Sequence, residues 1–170
     1  MKKQAHSKAY KIVMISVTFF LFASFGVFAD TTGTLTLQGY VPEILDITVT
    51  PTGNQTGLDL SVDETDVEVA TVVERSNKKT GYTVTLESAN NGNFAGLDAG
   101  NTDVLPYTLS YDGTSVDLSS GSAVITDEDG KSSGGRNGAS RSVSISYAGS
   151  GELLYEDDYE DILTFTIAAK

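Results

Sequence analysis

The chain has 170 residues and a formal net charge of −12, and it contains no cysteine, no tryptophan and one histidine, His6. Residues 1–29 hold 4 of its 11 basic residues and none of its 23 acidic ones, so the remainder has a net charge of 7 − 23 = −16. Such a charge argues against partners that are themselves densely negative, namely nucleic acid and anionic lipid.

The N-terminus has the three parts of a secretory signal. An apolar run, Ile12–Phe28, follows a basic segment and leads into Val27-Phe28-Ala29, with small residues at the positions that a signal peptidase requires. The basic segment contains Lys2, Lys3, Lys8 and Lys11. We therefore predict that residues 1–29 are a cleaved signal peptide. The domain would then pass through the inner membrane to the periplasm, and from there to the cell surface or the medium.

The residue types needed for most catalytic chemistry are missing from the exported part. Residues 30–170 contain neither His nor Cys, so nucleophile–histidine catalysis lacks its base and zinc lacks its preferred ligands. A glycosidase needs only two carboxylates, but here they lie mainly in turns or on polar strand faces. We expect no enzymatic activity, no cofactor and no dedicated metal site. Weak calcium binding by the acidic segments 127–129 and 156–161 stays open.

From residue 34 onward, apolar and polar residues alternate with the period of a β-strand, between clusters of Gly, Asn, Asp and Pro. This pattern predicts one all-β domain, a sandwich or barrel of antiparallel sheets. The predicted strands are 35–41, 45–49, 58–62, 67–73, 82–86, 107–111, 116–118, 124–126, 143–147 and 162–169.

Turn residues refine this prediction. Asp112-Gly113 is a strong hairpin signal, and Pro42 and Pro51 should mark strand ends or edges because proline cannot donate a ladder hydrogen bond. The glycine- and serine-rich segment Asp127–Ser140 has no apolar anchor, so it is predicted to be a mobile surface loop.

The last predicted strand places Leu163, Phe165 and Ile167 on one face, and only Lys170 follows it. In an immunoglobulin-like sandwich a further strand normally pairs at this point, so this ending predicts an immunoglobulin-like antiparallel β-sandwich that lacks its final strand. The groove beside the last strand is then expected to need a cover.

A candidate cover lies at the other terminus, directly after the predicted cleavage site. Leu35, Leu37, Gly39 and Val41 alternate with polar residues in an arm long enough to form a strand. The arm could be added to the groove of a neighbouring subunit, which would build a fibre. It could equally fold back as the first strand of its own domain. The alternation alone does not separate these possibilities.

Three segments, in order along the chain, carry a resemblance to a known family. They are Thr34–Ile47, Leu105–Gly113 and Tyr159–Ile167, the last with a Tyr-x-Asp sequence before its strand. Together they resemble the chaperone–usher fimbrial subunits, especially the cysteine-free colonisation-factor type, and the spore coat protein U-like secreted proteins.

The resemblance implies donor-strand assembly, with a periplasmic chaperone that lends a strand and an outer-membrane usher where subunits polymerise. By match of position, the donor residues would be Leu35, Leu37, Gly39 and Val41, and the acceptor groove would contain Leu163, Phe165 and Ile167. The chain would then divide into signal peptide (1–29), donor arm (30–42) and pilin-like domain (43–170).

The predicted function is a structural subunit of a bacterial surface fimbria or coat, with possible adhesion. Its partners would be copies of itself or related subunits, without membrane insertion after cleavage. The alternative is a secreted monomeric binding module that completes its own sandwich with the arm.

Overall fold

The computed structural model describes residues 31–151 and 153–170. The predicted signal peptide, residues 1–29, lies outside the described residues. The chain divides into two units, one ending at Gly39 and one comprising Tyr40–Lys170, and the fold described here is that of the second. It is built from antiparallel strands and one short 3₁₀ helix, which confirms the prediction of an all-β fold.

Eleven strands make up the described domain. In chain order they are β1 (Leu45–Pro51), β2 (Glu64–Ser76), β3 (Tyr82–Ser88), β4 (Asn93–Gly96), β5 (Val104–Pro106), β6 (Thr108–Tyr111), β7 (Thr114–Val116), β8 (Ser122–Glu128), β9 (Ala139–Tyr147), β10 (Tyr159–Glu160) and β11 (Leu163–Ala169), with the 3₁₀ helix at Gly135–Asn137 between β8 and β9.

The strands form three sheets. The largest has the order β1-β2-β9-β6-β7, and the two smaller ones have the orders β11-β3-β8 and β10-β4-β5. Buried apolar side chains from all three sheets meet in one core cluster, which includes Val72, Leu86, Leu105 and Val143. On β3 every second residue is buried, as expected for a central strand with one face on the core. This layered arrangement is consistent with a β-sandwich.

Most predicted strands are present, with different bounds. β2 is longer than predicted and reaches Ser76, because Glu74 is accommodated in the core. The isolated chain has no strand at Leu35–Val41 or Leu58–Val62, so both of those predictions are wrong. At the second segment, the Asp59 carboxylate accepts hydrogen bonds from Ser61 N (3.0 Å) and Oγ (2.6 Å), which favours a turn over a strand.

The short strands β4, β5 and β10 were missed because two to four residues give no measurable alternation.

The segment Asp127–Ser140 is more ordered than the prediction of a featureless loop. Its first two residues belong to β8, its last two belong to β9, and the 3₁₀ helix lies between them. Ser132 is buried, its amide donates to Ser76 O (2.9 Å), and its hydroxyl accepts from Ser76 N (3.0 Å). Side chain to backbone bonding therefore anchors a segment that lacks an apolar anchor.

The predicted turn chemistry is confirmed at two places. Asp112 and Gly113 both have positive φ, 51° and 81°, and they join paired strands β6 and β7, as a two-residue hairpin requires. Pro51 is the last residue of β1, an edge strand, where its missing N–H costs no ladder bond.

A buried carboxylate links the five-stranded sheet to the sheet of β11, β3 and β8. Glu74 is 0% exposed, and it accepts hydrogen bonds from the hydroxyls of Tyr111 (2.5 Å), Thr126 (2.6 Å) and Tyr82 (2.9 Å). Tyr111 belongs to the same sheet as Glu74, whereas Tyr82 and Thr126 belong to the sheet of β3 and β8. Burial raises the pKa of the Tyr82 and Tyr111 phenols well above the usual range, and the hydrogen bond to Glu74 is the second largest cause. Both phenols therefore remain hydrogen-bond donors.

We predict that Tyr111→Phe lowers the free energy of unfolding by about 1.5–3 kcal/mol, because it removes a hydroxyl that donates to a buried carboxylate. Urea denaturation followed by circular dichroism measures this loss. The matched control is Tyr155→Phe, since the Tyr155 side chain is 70% exposed and its hydroxyl has no partner in the described part of the chain. Equal midpoints for the two variants would contradict a structural role for the cluster.

Candidate functional site

The candidate site is the edge of the domain where β11 meets β1. β11 pairs with β3 along its whole length, from Leu163 opposite Ser88 to Ala169 opposite Tyr82. Its other edge pairs with no strand among the described residues. Seven residues of β11 therefore present a row of backbone groups that could accept another strand.

β1 forms the neighbouring edge of the five-stranded sheet. Among the described residues it pairs only with β2, from Leu45 opposite Ser76 to Pro51 opposite Ala70. Cα atoms of β1 and β11 approach within 8 Å of each other. The two sheets thus bring two strands with free edges side by side along one border of the domain.

The inward faces of these two strands are incompletely covered. The β11 residues Phe165 and Ile167 are only partly buried, although their partners on β3, Leu86 and Val84, are 0% exposed. On β1, Val49 is 42% exposed opposite Val72, which is fully buried. The border therefore exposes side chains that point toward the core, and further apolar surface would cover them.

The spacing of β1 and β11 sets a condition on any strand inserted between them. Neighbouring strands lie about 4.8 Å apart, so a strand that pairs with both needs roughly 9.6 Å between its two partners. The present approach within 8 Å is shorter. Insertion between β1 and β11 would therefore require the two edges to separate by about 2 Å or more, whereas addition to β11 alone would not.

The start of β11 is fixed by one carboxylate. Asp161 accepts hydrogen bonds from Tyr107 Oη (2.5 Å), Ser88 Oγ (2.6 Å) and Asn90 N (2.9 Å). Beside it, Ala89 N donates to Ile162 O (3.0 Å), which continues the ladder past the last β-pair. Burial raises the pKa of the Tyr107 phenol well above its usual range, and the hydrogen bond to Asp161 is the second largest cause. Asp161 therefore ties the beginning of β11 to the end of β3.

The far end of β11 is fixed by the last residue of the chain. Lys170 N donates to Gly81 O (3.2 Å), and its ammonium group forms ion pairs with Asp127 and with Asp129 (2.6 Å). Hydrogen bonds to the two carboxylates raise the pKa of Lys170. Because both ends of β11 are held, the strand presents a defined edge along its full length.

The predicted arm is exposed. Residues 31–44 carry no assigned strand, and the side chains of Leu35, Leu37 and Val41 are 84%, 85% and 81% exposed. A side chain added at Gly39 would meet no atom within 4 Å. In this chain the alternating apolar residues of the arm are thus left uncovered.

The structure places Leu163, Phe165 and Ile167 together on the inward face of an edge strand. It does not bring the arm residues Leu35, Leu37, Gly39 and Val41 into a ladder. Sequence reasoning missed the contribution of β1, although the alternation of Leu45, Ile47 and Val49 was visible as a strand. It also gave no structural role to the carboxylate of Asp161, which it noted only as part of the Tyr-x-Asp sequence and of the acidic segment 156–161.

The described residues contain neither a cluster of metal ligands nor a helix that could span a membrane. Within residues 31–151 and 153–170, no three His, Cys, Asp or Glu side chains converge as they would around a metal ion. No helix in this part of the chain is both long enough and apolar enough to cross a membrane.

Compared with known proteins, the chain matches no protein-family model and has no significantly similar curated protein.

We predict that Asp161→Ala loosens the start of β11, because it leaves the Tyr107 and Ser88 hydroxyls without their acceptor. Hydrogen exchange of the Ala89 amide, which bonds to Ile162 O, should become at least about tenfold faster, equivalent to about 1.4 kcal/mol. The control is Asp158→Asn, which changes an exposed carboxylate in the same segment with no side-chain partner among the described residues. Unchanged exchange in Asp161→Ala would exclude this role.

Proposed function

We propose that the protein is an exported structural subunit of a bacterial surface fibre or coat, assembled by donation of the N-terminal arm to the β1–β11 border of another copy. The observation that carries the proposal is the row of partly exposed, inward-facing apolar residues along the free edge of β11. A strand added there would satisfy backbone groups and cover apolar side chains in one step.

The arm has the chemistry of such a strand. Its apolar residues recur at every second position from Leu35 to Val41, and they are exposed in the isolated chain. Donation between copies is heterologous, because the arm of one molecule meets a different surface on the next, and such contacts propagate into fibres.

An antiparallel sense is favoured, because every ladder in the described domain is antiparallel. We place Gly39 beside Phe165, the largest residue of the acceptor row, because glycine leaves most room for that ring. This register sets Val41 beside Leu163 and Leu37 beside Ile167. Adhesion would be a property of the assembled fibre.

The spacing of the border gives a physical reason for an assembly factor. Since β1 and β11 must separate before one strand can pair with both, a chaperone that lends a strand would hold the border open until a subunit replaces it. A periplasmic chaperone and an outer-membrane usher are the partners expected on this account.

The proposal predicts that surface extracts of cells that express the full chain contain strand-linked polymers. Unboiled electrophoresis in detergent should show a ladder that collapses to one band on boiling. Leu37→Asp should abolish the ladder, because it places a charge on the apolar face of the arm, whereas Thr36→Asp on the polar face should retain it.

Two outcomes would contradict the proposal. One is a single monomer band from the unaltered chain, which would favour a secreted monomeric module. The other is an unchanged ladder in Leu37→Asp. Secreted amounts of each variant, measured on boiled samples, separate failed polymerisation from failed export.

A further inference from the structure

The basic residues of the domain lie at one of its two ends. Four basic residues of the chain lie in residues 1–29, and the other 7 of the 11 all lie at the end of the domain where β2 finishes and β3 begins. We call this the basic end. Its basic residues are Arg75, Lys78, Lys79, Lys131, Arg136, Arg141 and Lys170.

Hydrogen bonds and ladder registers establish this placement. Lys78 and Lys79 lie in the β2–β3 turn, and Lys170 N bonds to Gly81 O in the same turn. Ser132 N, next to Lys131, bonds to Ser76 O at the end of β2.

The two remaining arginines of the basic end are placed by neighbours on β2. Arg141 lies opposite Val72 on β2. Arg136 is in the 3₁₀ helix, whose following residue, Gly138, lies against Arg75.

Four of these cations form ion pairs with six carboxylates of the domain. The ion pairs are Arg75–Asp46 (3.7 Å), Lys78–Glu43 (2.5 Å), Arg141 with Asp112 (2.7 Å) and Glu128 (3.7 Å), and Lys170 with Asp127 and Asp129 (2.6 Å). Lys79, Lys131 and Arg136 are exposed and have no ion pair among the described residues. Three cations without an ion pair therefore project from the basic end, where the seven basic residues exceed the six paired carboxylates by one.

The opposite end contains an acidic cavity of about 700 Å³. Leu58, Leu60, Phe94 and Leu97 contribute apolar lining, and no Lys or Arg is among the described lining residues. Its rim includes Asp158 and Glu160, whose exposed carboxylates have no hydrogen bond or ion pair in the described part of the chain. An apolar floor with a free acidic rim suits the long alkyl stem and charged tip of Lys or Arg.

We infer that the basic end of one copy docks against the acidic cavity of the next copy in the fibre. The inference rests on the proposed strand donation and specifies a second contact that accompanies it. The occupant is a second copy of this chain, because the domain itself carries free cations at one end and free carboxylates beside an apolar cavity at the other.

Chain direction brings these two ends together. The arm joins the domain at the basic end, where Asn77 Nδ2 donates to Pro42 O (2.8 Å) and Asn77 Oδ1 accepts from Ile44 N (2.8 Å). β11 runs from the cavity end at Leu163 to the basic end at Ala169. An arm that runs antiparallel to β11 finishes beside Leu163, so the basic end of its own subunit follows directly at the acceptor's cavity.

The opposite sense of insertion would bring two basic ends together. The free charges of Lys79, Lys131 and Arg136 would then face the same charges on the acceptor, which is unfavourable. The placement of these three unpaired cations thus favours the antiparallel sense independently of backbone pairing. It also makes the fibre polar and its growth sensitive to salt.

The test measures fibre growth from the purified exported chain by light scattering at about 50 mM and about 500 mM NaCl. The donor-end variant Lys79→Glu/Lys131→Glu/Arg136→Glu and the acceptor-end variant Asp158→Lys/Glu160→Lys should each grow at least about tenfold more slowly than the unaltered chain at low salt. The combined variant carries both sets of substitutions and should regain most of the rate, because its two ends are again complementary.

Urea midpoints of all variants serve as the control for folding, since the five altered side chains have no ion pairs among the described residues. Because the border must open before a strand can enter between β1 and β11, each sample is first partly unfolded in urea and then diluted; no growth by the unaltered chain after this treatment would refute strand donation. Growth of the unaltered chain with unchanged rates in both single-end variants would overturn the docking contact and leave strand donation standing. Failure of the combined variant to recover would also overturn the charge pairing.

Discussion

The edge of β11 that pairs with no described strand is the constraint on which the rest of the structure depends. Backbone N–H and C=O groups at a sheet edge are a template for another strand, and proteins usually blunt such edges with charge, proline or bulges. β1 carries Asp46 and ends in Pro51, and β8 ends in Asp127-Glu128, where both carboxylates are ion-paired. β11 has neither charge nor proline from Leu163 to Ala169. The edge of β11 is therefore less protected than the edges of β1 and β8.

Without disulfides, polar groups keep this edge in place. Asp161 fixes the start of β11 and Lys170 fixes its end, while Glu74 links the five-stranded sheet to the sheet that contains β3 and β8. A buried carboxylate with three hydroxyl donors is costly to leave unsatisfied, so it defines how the two layers align. The apolar core supplies the main driving force, and these three residues determine where the uncovered row lies.

Much of the fold followed from alternation in the sequence. Long periodic segments such as Tyr82–Leu86 and Val143–Tyr147 were predicted because a half-buried strand imposes a two-residue period. Glu74 was not predicted to lie in β2, since its burial depends on hydroxyls contributed by residues up to 52 positions away. Leu58–Val62 has the alternation of a strand, but local hydrogen bonds from Ser61 to Asp59 favour a turn.

Only part of the candidate site could be predicted from the sequence, for a similar reason. Leu163, Phe165 and Ile167 could be assigned to one face from their spacing alone. That β1 lies beside them depends on two sheets meeting at one border, which is a property of the tertiary fold. The gathering of the basic residues at one end was also hidden, because basic residues spread from Arg75 to Lys170 meet only when the strands are in register.

The central claim is that the arm of one copy pairs with β11 of another, and engineered disulfides test it directly because the chain has no cysteine of its own. Copies with Leu37→Cys are mixed with copies with Ile167→Cys under mild oxidation, and Thr36→Cys replaces Leu37→Cys as the control. The account predicts disulfide-linked pairs of the two copies, strongly reduced in the control. Absence of linked pairs, or a disulfide within single molecules that carry both substitutions, would contradict it.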